Sequence, residues 1–125
     1  MVSSDPALVS TWRDMLERYH TTWGALDRAL REAHQLGASE FEVLEQLAEA
    51  EAAAPNCRMQ DLCGRVQLSQ SALSRVVSRL EQEGLVERAM CADDRRGIFV
   101  QLTETGRSRH AAAVPTHRSV LAENL

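Results

Sequence analysis

The sequence contains no lysine; all fourteen basic side chains are arginine. Arginine's planar fork can grip a phosphate or a guanine edge in two places, which a lysine ammonium cannot, although codon bias also produces a uniform arginine habit. Cysteine is scarce. The three present, Cys57, Cys63 and Cys91, have no C-x-x-C spacing, so neither a disulfide framework nor a zinc knuckle is expected and reduced thiols are the default. No run approaches the ~18 apolar residues of a membrane span. The start "MVSSDPALVS" lacks the basic and apolar regions of a secretory signal, so the expected location is the cytoplasm, with no membrane partner. There is no Gly-rich phosphate loop, no nucleophile elbow and no pair of acids in a plausible cleft. Neither catalysis nor a cofactor is expected. The four histidines, His20, His34, His110 and His117, show no metal-ligand spacing.

What is present fits one domain spanning residues 1–125, long enough to bury a core without metal or disulfide support. A net charge of -4 argues against nucleic acid, yet the charge is unevenly spread. From Arg58 to Arg109 there are nine arginines against seven acids, while the other segments hold five against eleven. The acids therefore lie mostly outside the central stretch.

Hydrophobic spacing gives the elements. Trp12, Leu16, Tyr19, Trp23, Leu26 and Leu30 recur at intervals of three and four, the apolar face of a helix from about Pro6 to Ala33, capped by Asp5 and stopped near Gly37. Ser39 is read as the cap of a second helix that buries Phe41, Val43, Leu44, Leu47 and Ala48 and ends before Pro55. A short third helix, from about Arg58 to Val66, buries Met59, Leu62 and Cys63. After the turn Gln67, Leu68, Ser69, a fourth helix turns Ala72, Leu73, Val76, Val77 and Leu80 inward, and Gly84 stops it. Two short strands follow, "LVERAM" and "IFVQL", joined by the polar "CADDRRG" as a hairpin. Thr103 caps a last helix that meets Pro115 and reaches Leu125.

Two helices joined by a three-residue turn, the second opening with short polar and arginine side chains, make a helix-turn-helix. The major groove of B-DNA admits one such helix and leaves its early residues facing base edges. Ser69, Gln70, Ser71, Ser74 and Arg75 occupy that position, and Arg79, one turn later, suits a phosphate. The hairpin that follows completes a winged helix. At its tip Arg95 and Arg96 would meet the negative potential of the minor groove, with Asp94 placed to orient Arg96. The fold expected is mainly α with a small β-hairpin wing.

The segment "DRRGIFVQLTETG" fits the D-x-R-x-x-x-V-x-L-T-x-x-G pattern of MarR-type winged-helix regulators at Asp94, Arg96, Val100, Leu102, Thr103 and Gly106. Upstream, "LSQSALSRVVSRLEQEGLVER" resembles their recognition helix and first wing strand, and "ASEFEVLEQLAEA" the helix before them. This resemblance covers nearly the whole chain. It implies a homodimeric transcription factor, usually a repressor, that binds a palindromic operator in double-stranded DNA and is often released by a small aromatic or phenolic effector. By position, Ser71, Ser74 and Arg75 would read the major groove and Arg96 the minor groove. The resemblance divides the chain into an N-terminal dimerisation helix (1–36), a DNA-binding region (39–103) and a C-terminal dimerisation helix (104–125). That last helix is expected to be truncated, because in such regulators it runs on to intertwine with a partner.

Trp12, Arg13, Tyr19, His20, Trp23 and Phe41 are candidates to line an effector site, aromatic walls with a cation for a carboxylate; the same stripe is also what dimer or core packing requires. Cys57 and Cys91 are candidate thiol sensors, and a winged-helix module that binds protein rather than DNA is a further alternative.

Overall fold

The computed structural model describes residues 5–53, 57–90 and 98–125, with the backbone alone at 53, 57–60 and 90. Helix α1 (Pro6–His34) starts where expected: the Asp5 carboxylate accepts the Ala7 N–H at 2.9 Å, and proline fills a first-turn position that needs no donor. Its end is different. Gln35, not Gly37, adopts the left-handed conformation (φ 54°), and its N–H returns to the Arg31 carbonyl at 3.1 Å.

Gly37 instead opens α2 (Ala38–Ala53), its carbonyl accepting the Phe41 N–H at 2.9 Å. Ser39 lies inside the first turn and is not the cap. Two carboxylates do that work: Glu40 Oε1 accepts the Gly37 N–H at 3.0 Å, and Asp27 Oδ1, from α1, accepts the Ala38 N–H at 2.9 Å. Hydrogen bonds from Arg31 and then from Ala38 hold the Asp27 carboxyl below the usual range, so this cap is anionic and favours the positive helix end. Within α2, Phe41, Val43, Leu44 and Leu47 are all buried, because α1, α3, α4, α5 and β3 surround it.

The remaining elements build the expected pair of helices joined by a turn and the strand pair that follows them. Strand β1 (Cys57–Arg58) precedes α3 (Met59–Arg65), and a turn leads into α4 (Gln70–Gln82). Strands β2 (Val86–Met90) and β3 (Ile98–Leu102) pair antiparallel from Val86↔Leu102 to Met90↔Ile98. β1 joins the far edge of β3, giving a three-stranded sheet in the order β1-β3-β2 where the sequence suggested only a hairpin. Helix α5 (Glu104–Asn124) carries Pro115 in its interior and crosses back over α1. There the His34 ring meets Thr116 Oγ1 at 2.8 Å, and Arg109 donates to the His34 carbonyl at 3.3 Å. Among the described residues no helix is long and apolar enough to cross a membrane.

One polar network is set into the α2–α5 contact. Glu45, 9% exposed, accepts both ends of the Arg118 guanidinium at 2.8 and 2.9 Å and meets the His110 ring at 3.2 Å. Burial alone would raise the Glu45 pKa; the hydrogen bonds from Arg118 and His110 outweigh it and hold the carboxyl below its ordinary value. His117 stacks on Phe41 at 4.4 Å, and its pKa is lowered by burial and by the charges of Arg118 and His110. Glu42 lies on the other side of the balance: burial first, then Glu45 and Glu49, raise its pKa.

These shifts fix a pH dependence. The unfolded chain protonates His117 before the folded one does, so stability should fall as pH drops from about 7.5 to about 5.5, through the ordinary histidine value. Glu45 adds loss only at lower pH, and Glu42, whose pKa is raised, opposes it there by shedding a partly buried charge. Urea midpoints across that range should slope downward in the native protein and flatten in His117→Gln. An equal slope in both would assign the effect elsewhere.

Candidate nucleic-acid interface

Helix α4 owes its form to a strict division of faces. Ser69 Oγ caps it by accepting the Ala72 N–H at 3.2 Å. Leu73, Val77 and Leu80 are fully buried, and Ala72 and Val76 half-buried, which seats the helix on α2. Gly84, at φ 76°, turns the chain out of α4, as its sequence position predicts. The opposite face is polar. Gln70, Ser71, Ser74, Arg75 and Arg79 are all exposed, and Ser71, Ser74, Arg75 and Arg79 share one shallow depression with Ser78 and Gln82.

The two arginines differ. Arg75 has no hydrogen bond or ion pair among the described residues, so its guanidinium is free to meet a ligand. Arg79 Nη1 lies 3.9 Å from Glu40 Oε1, a long contact that leans it towards the α2 cap while leaving it solvated. Asp94, Arg95 and Arg96, the expected wing-tip residues, lie outside the described residues, as does Cys91.

Arg88 is not among the residues that the sequence pattern selects. Its Nη2 donates to the Ser74 carbonyl at 3.2 Å and to Ser78 Oγ at 3.0 Å, Nη1 lies 3.7 Å from Glu81 Oε1, and its backbone N–H reaches Glu81 Oε2 at 3.3 Å. One side chain thus ties the wing strand β2 to the helix that carries Ser74 and Arg75. The signal was present: on a strand, Arg88 shares a face with buried Val86, so it must turn inward. Arg88→Lys should cost about 1 kcal/mol in urea unfolding, since a single ammonium on a shorter side chain cannot meet Ser74, Ser78 and Glu81 together as the two guanidinium nitrogens do. Unchanged stability would mean that the wing is held by the sheet alone.

The aromatic candidates separate into three places. Tyr19 and Trp23 stack at 6.0 Å and line a cavity of about 420 Å³ between α1, α2 and α5. Trp12, 57% exposed, Arg13 and His20 stand outside its lining, on the half of α1 that projects beyond the core; His20 meets the Tyr19 ring edge-on at 5.5 Å. Phe41 is 1% exposed and packs between His117 and His110, so it is core and not wall. The cavity's polar lining comes instead from Thr22, Glu42, His117 and Arg18, none of which periodicity alone would select. Donor atoms of Glu42, Glu45 and His117 come within 4.8 Å of one another, but Arg118 already occupies both Glu45 oxygens and His117 Nδ1, supplying the positive charge a metal ion would bring. Cys63 is half-buried, its thiol 3.9 Å from the Leu68 carbonyl.

A helix-turn-helix with a polar, arginine-bearing second helix, followed by an antiparallel pair of strands, defines the winged-helix class of nucleic-acid-binding folds. A family model described as MarR family matches residues 34–97. Among solved structures, AbsC, a MarR family transcriptional regulator from Streptomyces coelicolor, superposes with a TM-score of 0.87 at 30% identity, over 100% of this chain and 82% of that one. Sco3205 from the same organism, a MarR family regulator solved in complex with DNA, gives 0.86 at 29% identity, over 100% and 79%. The HTH-type transcriptional regulator YwhA of Bacillus subtilis (strain 168) is 40% identical over 52 residues, 42% of this chain and 37% of its own length. The chain belongs to the MarR family, whose members are transcriptional regulators and not enzymes.

Proposed function

We propose that this chain is a homodimeric, sequence-specific DNA-binding regulator, a repressor that occupies a palindromic operator and leaves it when a small aromatic ligand binds. The observation that carries the reading is the exposed face of α4, with Ser71, Ser74 and an Arg75 that has no partner among the described residues beside its N-terminus. Gln70 suits an adenine, Arg75 a guanine, and Arg79 a phosphate. Asp94, Arg95 and Arg96 would place a guanidinium in the minor groove alongside. Sco3205, so similar in fold, was solved on DNA, which supports the same docking here.

Dimerisation has its own support. The first half of α1 exposes Leu8, Val9, Trp12 and Leu16, none of which lines the cavity between α1, α2 and α5. An apolar stripe of that extent is a surface for another chain, and a two-fold copy would set two α4 helices about 34–36 Å apart, one turn of DNA. Selection of bound sequences from random duplex DNA tests the reading. The expected winner is a palindrome with half-sites one turn apart; recovery of no sequence above background would refute it.

A further inference from the structure

Three features converge on the cavity between α1, α2 and α5. Its walls are apolar and aromatic, formed by Tyr19, Trp23, Leu26 and Leu121. Thr22, which also lines it, is 7% exposed, and its hydroxyl has no hydrogen-bond partner among the described residues. The third is a carboxylate, Glu42, that makes no ion pair with an arginine among the described residues.

Two acids, Glu42 and Glu45, face α5 from successive turns of α2, and their situations differ. Glu45 is matched by the two-point grip of Arg118. Glu42 has no hydrogen bond among the described residues, and its Oε1 lies 3.9 Å from His117 Nε2. That ring is held neutral. An arginine can only donate, so the 2.7 Å contact from Arg118 Nη1 makes His117 Nδ1 the acceptor and leaves the single ring proton on Nε2. A negative charge on Glu42, whose side chain is 36% exposed, has no hydrogen-bonded cation among the described residues, and burial, then Glu45 and Glu49, outweigh the pull of Arg118 and make that charge costly. A cation arriving beside it would offset that cost. Arg18 also borders the cavity, but it is exposed, so water and salt screen its pull on an anion more than the protein screens Glu42.

We propose that this cavity binds a small aromatic organic cation, an arylalkyl amine or ammonium, with its ring against Tyr19 and Trp23, its charge on Glu42 and the Thr22 hydroxyl available to an N–H. The inference rests on the reading of the chain as ligand-responsive, and it turns the expected preference from an acid to a base. It also gives the ligand a route to DNA. α2 carries Glu42, and two residues earlier Glu40, whose carboxylate caps that helix and lies next to Arg79 of α4. A ligand that shifts α2 moves the DNA-facing helix with it.

The test uses three probes of one shape, phenylpropylamine, phenylpropanol and phenylpropanoate, titrated into the full chain carrying Trp12→Phe, so that Trp23 alone reports by fluorescence. The amine should bind at least tenfold more tightly than the alcohol, and the acid more weakly than either. Glu42→Gln, with its circular dichroism unchanged, should erase the amine's advantage and leave the alcohol's affinity intact. Preference for the acid, an amine advantage that survives Glu42→Gln, or no binding by any probe would overturn the proposal; in the last case a second copy of the chain is the occupant. Operator release is measured separately. If phenolic acids release the duplex while amines do not bind, the cation site fails and the proposed function stands. If amines bind but no duplex is ever held, the reverse is true.

Discussion

Gly106→Ala should be the most damaging small substitution in the chain. A Cβ built on Gly106 would sit 1.9 Å from the Leu85 carbonyl oxygen and 2.9 Å from its carbon, a collision with backbone that no rotamer change relieves. The crowding belongs to a corner where the wing hands the chain to α5. Thr103 donates its N–H to Leu85 O at 3.1 Å and its hydroxyl to Gly84 O at 2.6 Å, while the same hydroxyl accepts the Gly106 N–H at 3.0 Å. Leu85 is fully buried and cannot retreat without opening the core. The substitution should cost about 3 kcal/mol or more of unfolding free energy, beyond what Ala gains over Gly in a helix. Urea unfolding would show it as a lowered midpoint at unchanged slope. A loss under about 0.5 kcal/mol would mean that α5 can leave this corner freely. The same geometry explains the motif L-T-x-x-G: threonine caps the helix and glycine lets it approach.

Arg75→Ala should have the largest effect on DNA. If the guanidinium holds a guanine through two hydrogen bonds, truncation costs about 1–3 kcal/mol per protomer, roughly a fivefold to 150-fold loss in each half-site. The loss should be selective. Base preference should relax at one position per half-site, and the fold should be untouched, because Arg75 has no partner among the described residues to lose. Arg79→Ala should instead weaken all sequences alike and reduce the salt slope by about one unit for each phosphate no longer gripped. Anisotropy titrations against the selected duplex and its single-base variants separate the two. Uniform weakening by Arg75→Ala would move that residue from base to backbone.

Much of this is legible in the sequence alone, and the reasons are physical. α4 can be read because its apolar residues repeat at helical spacing and its cap and stop, Ser69 and Gly84, are chemically unambiguous. β3 can be read from its alternation, and α5 from Thr103. Less legible is whatever depends on contacts across the chain. The cap of α2 comes from Asp27, eleven residues back on another helix, so Ser39 looks the better candidate from sequence. β1 is two residues long and has no pattern of its own; only pairing with β3 makes it a strand. The aromatic stripe of α1 is correct as a stripe, but spacing cannot say which of its members meet a cavity. Trp12 and Tyr19 lie two turns apart on one helix, yet only Tyr19 sits low enough to face α2 and α5. His110 and His117, two turns apart on α5, become meaningful only when Phe41 is found between them.

The arginine-bearing face of α4 is expected to lie in the major groove, and guanine N7 is the atom that reports it, since it is open there to dimethyl sulfate. Methylation of the selected duplex with and without the protein is the direct measurement. The expected result is protection of one guanine N7 in each half-site, about 10–10.5 base pairs apart, abolished when Arg75→Ala replaces the native chain. A bound duplex whose guanines all stay reactive, or whose protection survives that substitution, would contradict it.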